Sequence, residues 1–108
     1  MSIFDFLRPA DINAGVEQCR GTEGAVLLDV RTEAEYAAGH IPGSVNLPLS
    51  RLDEVEEQVS SKAAPLFVYC QSGARAASAV SALKGMGYSS CSSIGGIAAW
   101  RGPVEKGA

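Results

Sequence analysis

The segment over residues 66–86 constrains the fold of this chain more than any other. It begins with four apolar residues, 66–69, rich in aromatic and β-branched side chains, which lead directly into Cys70. A loop containing Gly73 follows, and small and apolar residues then recur every three or four positions as far as Met86. This order predicts a buried strand, a tight loop and the N-terminus of a helix.

Cys70 lies at the predicted junction between this strand and the helix. Backbone N–H groups point into such a junction, and the helix dipole adds partial positive charge there. A thiol in this position is shifted toward thiolate, the form that attacks electrophiles. Arg75 adds a permanent cation, suited to an anionic substrate or to the thiolate itself. We therefore predict Cys70 as the nucleophile, in preference to a structural cysteine. The predicted substrate- and anion-binding loop consists of Gln71, Ser72, Gly73, Ala74 and Arg75.

Strand and helix patterns alternate along the whole chain. Strands are predicted at residues 3–7, 25–30, 44–47 and 66–69, and a last one at 90–94, which is polar for a buried position. Helices are predicted after Pro9, at the capping box of Thr32 and Glu35, after Ser50 as N-cap, and from Ala74 until Gly87 stops the last long helix. Short connections between such elements favour an α/β fold, in which helices cover both faces of a parallel sheet. Ligands bind beyond the carboxyl ends of the strands in sheets of this kind, which is where Cys70 falls.

Length and charge limit the function classes. A chain of 108 residues predicts one domain over residues 1–108, with residues 103–108 as a frayed tail. Its formal net charge of −3 provides no general attraction to nucleic acid or to an anionic membrane. Any anion must therefore bind to a local basic site, and we expect neither nucleic acid nor a membrane as a partner.

The three cysteines, Cys19, Cys70 and Cys91, form no CxxC pair, and His40 is the single histidine. This argues against a disulfide framework and against a cysteine-based zinc site. The sequence contains no pattern typical of a signal peptide or of a membrane span. A cytoplasmic protein with reduced thiols is the resulting expectation.

Three further polar residues are predicted to support the site. Asp29 ends a buried strand, so its carboxylate must be paired. Arg31 is one candidate partner, although it could instead reach Glu35 one helical turn on. His40 lies in a Gly-His-Ile-Pro-Gly turn, where we interpret the imidazole as bracing the backbone rather than acting as a base. We therefore predict no catalytic triad.

Three motifs in order resemble those of single-domain rhodaneses. The first is Asp29-Val30-Arg31 with Glu35-Tyr36 and the later Gly-His-Ile-Pro-Gly-Ser turn, the second is the loop from Cys70 to Arg75, and the third is Gly-Gly-Ile-Ala-Ala-Trp at residues 95–100. Together they extend over residues 25–102. The resemblance implies a compact α/β fold with a central parallel sheet of about five strands.

The resemblance also implies sulfur transfer in two half-reactions. Cys70 would take the outer sulfur of a small anionic donor such as thiosulfate, forming a persulfide, and would pass it to cyanide or a thiol. Such covalent catalysis needs no metal or organic cofactor. Many family members with high thiosulfate activity carry a basic residue directly after the cysteine, whereas this chain has Gln71. A different donor, such as the persulfide of another protein, is therefore a hypothesis.

Two alternative functions compete with this interpretation. Cysteine-dependent phosphatases place five residues between cysteine and arginine, but here four lie between Cys70 and Arg75. The shorter loop suits a single sulfur atom better than a phosphate, so it favours sulfur transfer. The other alternative, a non-catalytic sulfur carrier or binding module on the same scaffold, is equally compatible with Cys70.

Overall fold

The computed structural model describes residues 10–108, so the strand predicted at 3–7 and the helix start at Pro9 lie outside the described residues. The helices are α1 Ile12–Arg20, α2 Glu33–Ala38, α3 Val55–Gln58 and α4 Ala74–Gly85, with 3-10 helices at Leu49–Glu54 and Ile97–Ala99. The strands are β1 Val26–Asp29, β2 Val45–Asn46, β3 Leu66–Cys70 and β4 Cys91–Gly96.

The strands form one sheet in the order β2-β1-β3-β4, and all neighbouring strands are parallel. The predicted parallel α/β sheet is therefore confirmed, with four strands among residues 10–108 rather than five. Asp29 pairs with Tyr69, and Cys70 pairs with Gly96. Because parallel strands all end at the same edge, Asp29, Cys70 and Gly96 come together at the carboxyl edge of the sheet.

The central strand β3 divides the core into two halves. Leu66, Val68 and Cys70 pack in the cluster beneath α4 and α3, whereas Phe67 and Tyr69 pack in the cluster beneath α1. This alternation follows from the two-residue period of a strand whose faces are both covered. Ala76 and Ala79 of α4 are fully buried, and their small side chains let the helix approach the sheet closely. The thiol of Cys70 therefore lies on the α4 side.

Several predicted boundaries differ from the structure. Ser50 does not cap a helix, because the 3-10 helix already begins after Pro48 and a kink at Arg51 separates its two turns. The end of α4 agrees with the prediction, because Gly87 follows the C-cap Met86 in the left-handed conformation. The Gly87 and Tyr88 N–H groups donate to the Lys84 and Leu83 carbonyls at 3.1 Å, the hydrogen bonds typical of a glycine-terminated helix. The strand predicted at 90–94 extends to Gly96, since its pairing with β3 continues through an irregularity between Val68 and Tyr69.

The tail is paired rather than frayed. Glu105 and His40 exchange two backbone hydrogen bonds of 2.8 Å, and the Gly107 N–H donates to the Ala37 carbonyl. These bonds satisfy backbone groups at the end of α2 that a free tail would leave to water. Within residues 10–108, no helix combines the length and apolar character required to cross a membrane.

Candidate active site

The sulfur of Cys70 receives two backbone hydrogen bonds from the start of α4. The Gly73 N–H lies 3.0 Å from Sγ, and the Ala76 N–H lies 3.4 Å from it. Both amides belong to the first turn of the helix or its cap, where N–H groups have no partner within the helix. Of the predicted loop residues 71–75, Gly73 donates its backbone N–H to the sulfur. Ala76, which lies outside the predicted loop, provides the second N–H donor. Both N–H groups are placed to donate to a charged sulfur at this position.

Gly73 gives the loop its turn. Its φ of +106° lies in the left-handed region, where a side chain is strained, and it serves as the N-cap of α4. Gln71, Ser72 and Ala74 are exposed on the outer side of the loop.

The motif at residues 95–100 packs against the backbone of the cysteine loop. A Cβ on Gly96 would overlap the carbonyl oxygen of Gln71 and the Cα of Ser72. The Ala98 N–H then donates to the same carbonyl of Gln71 at 3.2 Å. Gly96 is thus required by the close approach of the loop backbone.

Arg75 is engaged by Glu35 in a two-point ion pair. Nη1 and Nη2 lie 2.7 Å and 2.9 Å from Oε1 and Oε2 of Glu35. Arg75 lowers the pKa of Glu35 to about 2, assisted by hydrogen bonds from Thr32. The carboxylate in turn raises the pKa of Arg75. The sequence predicted an arginine directed at the thiolate or substrate, but the structure gives its guanidinium a carboxylate partner.

Asp29 and Arg31 form a buried pair beside the loop. Arg31 donates from Nε to both carboxylate oxygens at 3.0 Å, from Nη2 at 2.7 Å and from its backbone N–H at 2.9 Å. The structure thus places Arg31 on Asp29 and not on Glu35. Asn46 adds two bonds of 3.0 Å to the carbonyls of Asp29 and Arg31. The three side chains fix the chain where β1 ends.

The His40 imidazole is buried and held by two contacts with Tyr36. Nδ1 lies 2.8 Å from the Tyr36 carbonyl, and the two rings stack with centroids 3.7 Å apart. The Tyr36 hydroxyl donates to the Ser44 carbonyl at 2.6 Å. These contacts place His40 in the support of the turn over residues 36–44.

Two cavities flank the cysteine loop. The smaller, about 340 Å³, is lined by Val30, Thr32, Pro48, Leu49, Ser50 and Arg75. The larger, about 460 Å³, lies against the outer side of Gln71, Ser72 and Gly73. Cys70 packs in the same core cluster as Val30, so the smaller cavity is on the side of the thiol. Cys70 is only 1% exposed and lines neither cavity, so access of a reagent to the sulfur requires the wall to move.

Sequence reasoning missed Glu35, Asn46 and Ala76 as parts of the site. The sequence signal of Glu35 was its capping-box spacing from Thr32, and the structure contains that box. No local pattern reports its second partner, Arg75, which lies 40 residues away.

Comparison with known proteins identifies the family. The Rhodanese-like domain family matches residues 13–103. A sulfurtransferase of Allochromatium vinosum is 39% identical over 80 residues, which cover 73% of this chain and 74% of that protein. The thiosulfate sulfurtransferase GlpE of Pseudomonas entomophila is also 39% identical, over 73% of this chain and 72% of that protein. The adenylyltransferase and sulfurtransferase uba4 of Ogataea parapolymorpha is 32% identical over 88% of this chain, which spans only 25% of that longer protein.

Solved structures agree with this assignment. An E. coli rhodanese with anions superposes with a TM-score of 0.72 at 30% identity, covering 77% of this chain and 99% of that one. The human single-domain sulfurtransferase TSTD1 gives a TM-score of 0.69 at 27% identity, covering 81% and 89%. The names of these relatives support a sulfurtransferase function, and the chain belongs to the rhodanese-like domain family.

Proposed function

We propose that this protein is a sulfurtransferase that carries a sulfane sulfur on Cys70. The observation that carries the proposal is the convergence of the Gly73 and Ala76 amides on the Cys70 sulfur, at 3.0 Å and 3.4 Å. The same two donors can stabilise a thiolate before the transfer and a persulfide anion after it. The sulfurtransferase relatives support this assignment over a phosphatase.

The reaction has two half-reactions. In the first, the Cys70 thiolate attacks the outer sulfur of thiosulfate, the S–S bond of the donor breaks, and sulfite leaves with the electron pair. Cys70 then holds the transferred sulfur as a persulfide anion. In the second, cyanide or a thiolate attacks the outer sulfur of the persulfide, and the Cys70 thiolate leaves. Neither step requires a metal ion or an organic cofactor, since Cys70 itself carries the sulfur.

A protein is a reasonable donor or acceptor for the same sulfur. The uba4 relative contains a segment similar to this chain within a protein about four times as long, named as both adenylyltransferase and sulfurtransferase. This supports sulfur transfer between protein surfaces as well as from small molecules. A non-catalytic sulfur carrier is the second candidate, favoured by the burial of Cys70, which slows exchange with free small molecules.

The proposal is tested by the intact mass of the reduced protein after incubation with thiosulfate. We expect a gain of one sulfur atom that cyanide removes and that Cys70→Ser abolishes. The matched controls are Cys19→Ser and Cys91→Ser, which remove buried thiols on opposite faces of the sheet and should leave the gain intact. A gain that survives in Cys70→Ser contradicts the assignment. If Cys70 gains the sulfur but the protein does not repeatedly transfer sulfur from thiosulfate to cyanide, the non-catalytic sulfur carrier is favoured.

A further inference from the structure

We propose that Glu35 determines which sulfur donors the site accepts, by neutralising Arg75 in the wall of the smaller cavity, on the Cys70 side of the sheet. The site then favours donors with at most one negative charge, such as organic persulfides, over dianionic thiosulfate. The inference rests on the proposed function, because it concerns the donor in the first half-reaction. Glu35 acts through Arg75 and is a specificity-determining residue rather than a catalytic one.

The first observation is that Glu35 is fixed in position. Both of its oxygens accept from the Arg75 guanidinium, at 2.7 Å and 2.9 Å, which is the planar two-point geometry that arginine forms with carboxylates. Oε1 also accepts from the backbone N–H and the hydroxyl of Thr32, at 3.0 Å and 3.1 Å. Thr32 and Arg75 both line the smaller cavity, so Glu35 joins two parts of its wall.

The second observation is the charge of that wall. Among the described residues that line the cavity, Arg75 alone carries a charge, and the others are apolar or carry hydroxyl groups. Arg51 follows the lining residue Ser50, but its guanidinium is paired with Glu33 and Glu54. Gln71, the loop residue after the nucleophile, is uncharged. A donor approaching Cys70 therefore meets a cation whose charge is already balanced.

The energetic consequence depends on the charge of the donor. A thiosulfate dianion loses more hydration than a monoanion on entering a cavity with apolar walls, and an already paired guanidinium compensates little of that loss. The pair is about one-third exposed, so water screens it in part and the discrimination is moderate.

A persulfide donor fits the same chemistry. The Cys70 thiolate attacks the terminal sulfur of R–S–SH, the S–S bond of the donor breaks, and R–S⁻ leaves with the electron pair and takes a proton from water. Cys70 retains the terminal sulfur as a persulfide. No oxidant or reductant is consumed, because the sulfane sulfur moves between two thiolates.

The test compares two donors that differ in charge, thiosulfate and the methanethiosulfonate monoanion. The measurement is the rate of sulfur addition to Cys70, by intact mass, over a range of donor concentrations. Glu35→Gln retains an N3 side chain that completes a capping box but removes the charge. We expect it to shift selectivity toward thiosulfate by about tenfold, mostly through a lower KM, and to make the thiosulfate reaction more sensitive to salt.

Glu33→Gln is the matched control, since it removes the same charge from the same helix but from a carboxylate paired with Arg51. It should leave the selectivity unchanged. An unchanged thiosulfate-to-methanethiosulfonate ratio in Glu35→Gln, or an equal change in both variants, overturns the inference.

A second readout does not depend on sulfur transfer. Anionic iodoacetate and neutral iodoacetamide alkylate the same thiol, and their relative rates at Cys70, followed by peptide mass, report the charge of the cavity wall. We expect Glu35→Gln to raise the iodoacetate-to-iodoacetamide ratio about threefold. If neither donor loads the native protein, the proposed function fails for small-molecule donors. A changed alkylation ratio would then still support the electrostatic role of Glu35, and an unchanged one would refute it.

Discussion

Gly73 donates its backbone N–H to the Cys70 sulfur from a left-handed conformation, φ +106°, at a distance of 3.0 Å. Gly73→Ala places a side chain on this backbone, which costs about 1–2 kcal/mol or relaxes φ to negative values. Because relaxation turns the amide away from the sulfur, we expect a lower free energy of unfolding and at least a tenfold slower sulfur loading of Cys70. Urea denaturation and intact mass measure the two effects.

Gly24→Ala is the control for backbone strain alone. Gly24 also has a positive φ, +75°, and a Cβ there would meet no atom within 4 Å. Gly24→Ala should lower the free energy of unfolding about as much as Gly73→Ala does, while sulfur loading of Cys70 stays at the native level. If Gly73→Ala loads sulfur as fast as Gly24→Ala, the Gly73 amide is not important for the reactivity of Cys70.

Breaking the buried Asp29–Arg31 pair should cost more stability than breaking an ion pair at the protein surface. Asp29 is fully buried and accepts four hydrogen bonds from Arg31, so Asp29→Asn leaves the guanidinium without its counter-charge. We expect a loss of about 3–5 kcal/mol in the free energy of unfolding, measured by urea denaturation. The double variant Asp29→Asn with Arg31→Met should lose less than the sum of the single variants. Additive losses would show that the two residues act independently.

Sequence predicted best those features that depend on neighbours along the chain. The capping box of Thr32 and Glu35 is a three-residue spacing, and it forms as predicted. The apolar run at 66–69 predicted a strand ending at Cys70, and β3 covers Leu66–Cys70 with all five residues buried. Such patterns report burial and period directly, so the parallel sheet and the place of Cys70 at its carboxyl edge followed from them.

Features that depend on competition between partners were not predictable. Spacing allowed Arg31 to pair with Asp29 or with Glu35, and the choice is settled by Arg75, which occupies Glu35 from 40 residues away. Sequence also could not show that the Ala76 amide, rather than the amides around Gly73 alone, would reach the sulfur. Strand β4 was weakly predicted because Ser92 and Ser93 interrupt its apolar pattern, yet its pairing with β3 determines its extent.

The Glu35–Arg75 pair predicts an acid-dependent loss of stability. The folded state lowers the pKa of Glu35 from 4.5 to about 2, mainly through Arg75. A lowered pKa stabilises the fold fully above about pH 4.5, and this contribution disappears as the pH falls from 4.5 toward 2. Urea denaturation at pH 7 and pH 3 should therefore show a smaller pH effect in Glu35→Gln than in the native protein.

A variant cycle separates the pair from other acidic groups. In an Arg75→Met background, Glu35→Gln should have little further effect on the pH dependence, because the main cause of the lowered pKa is already gone. The contribution is modest, since both side chains are about one-third exposed. Equal effects of Glu35→Gln with and without Arg75 would mean that Thr32, and not Arg75, controls this carboxylate.

Gly96 links the last strand to the cysteine loop, and its replacement should damage both. The Cβ of Gly96→Ala would overlap the Gln71 carbonyl and the Ser72 backbone, neither of which can rotate away as a side chain would. The loop must shift, so we expect a loss of about 1–3 kcal/mol in the free energy of unfolding and strongly reduced sulfur loading of Cys70.

Gly85→Ala is the comparison, because a Cβ at this last residue of α4 meets no atom within 4 Å. It should stabilise the protein by about 0.5–1 kcal/mol through higher helix propensity and leave sulfur loading unchanged. Full sulfur loading in Gly96→Ala would show that the geometry of the loop does not depend on its contact with β4.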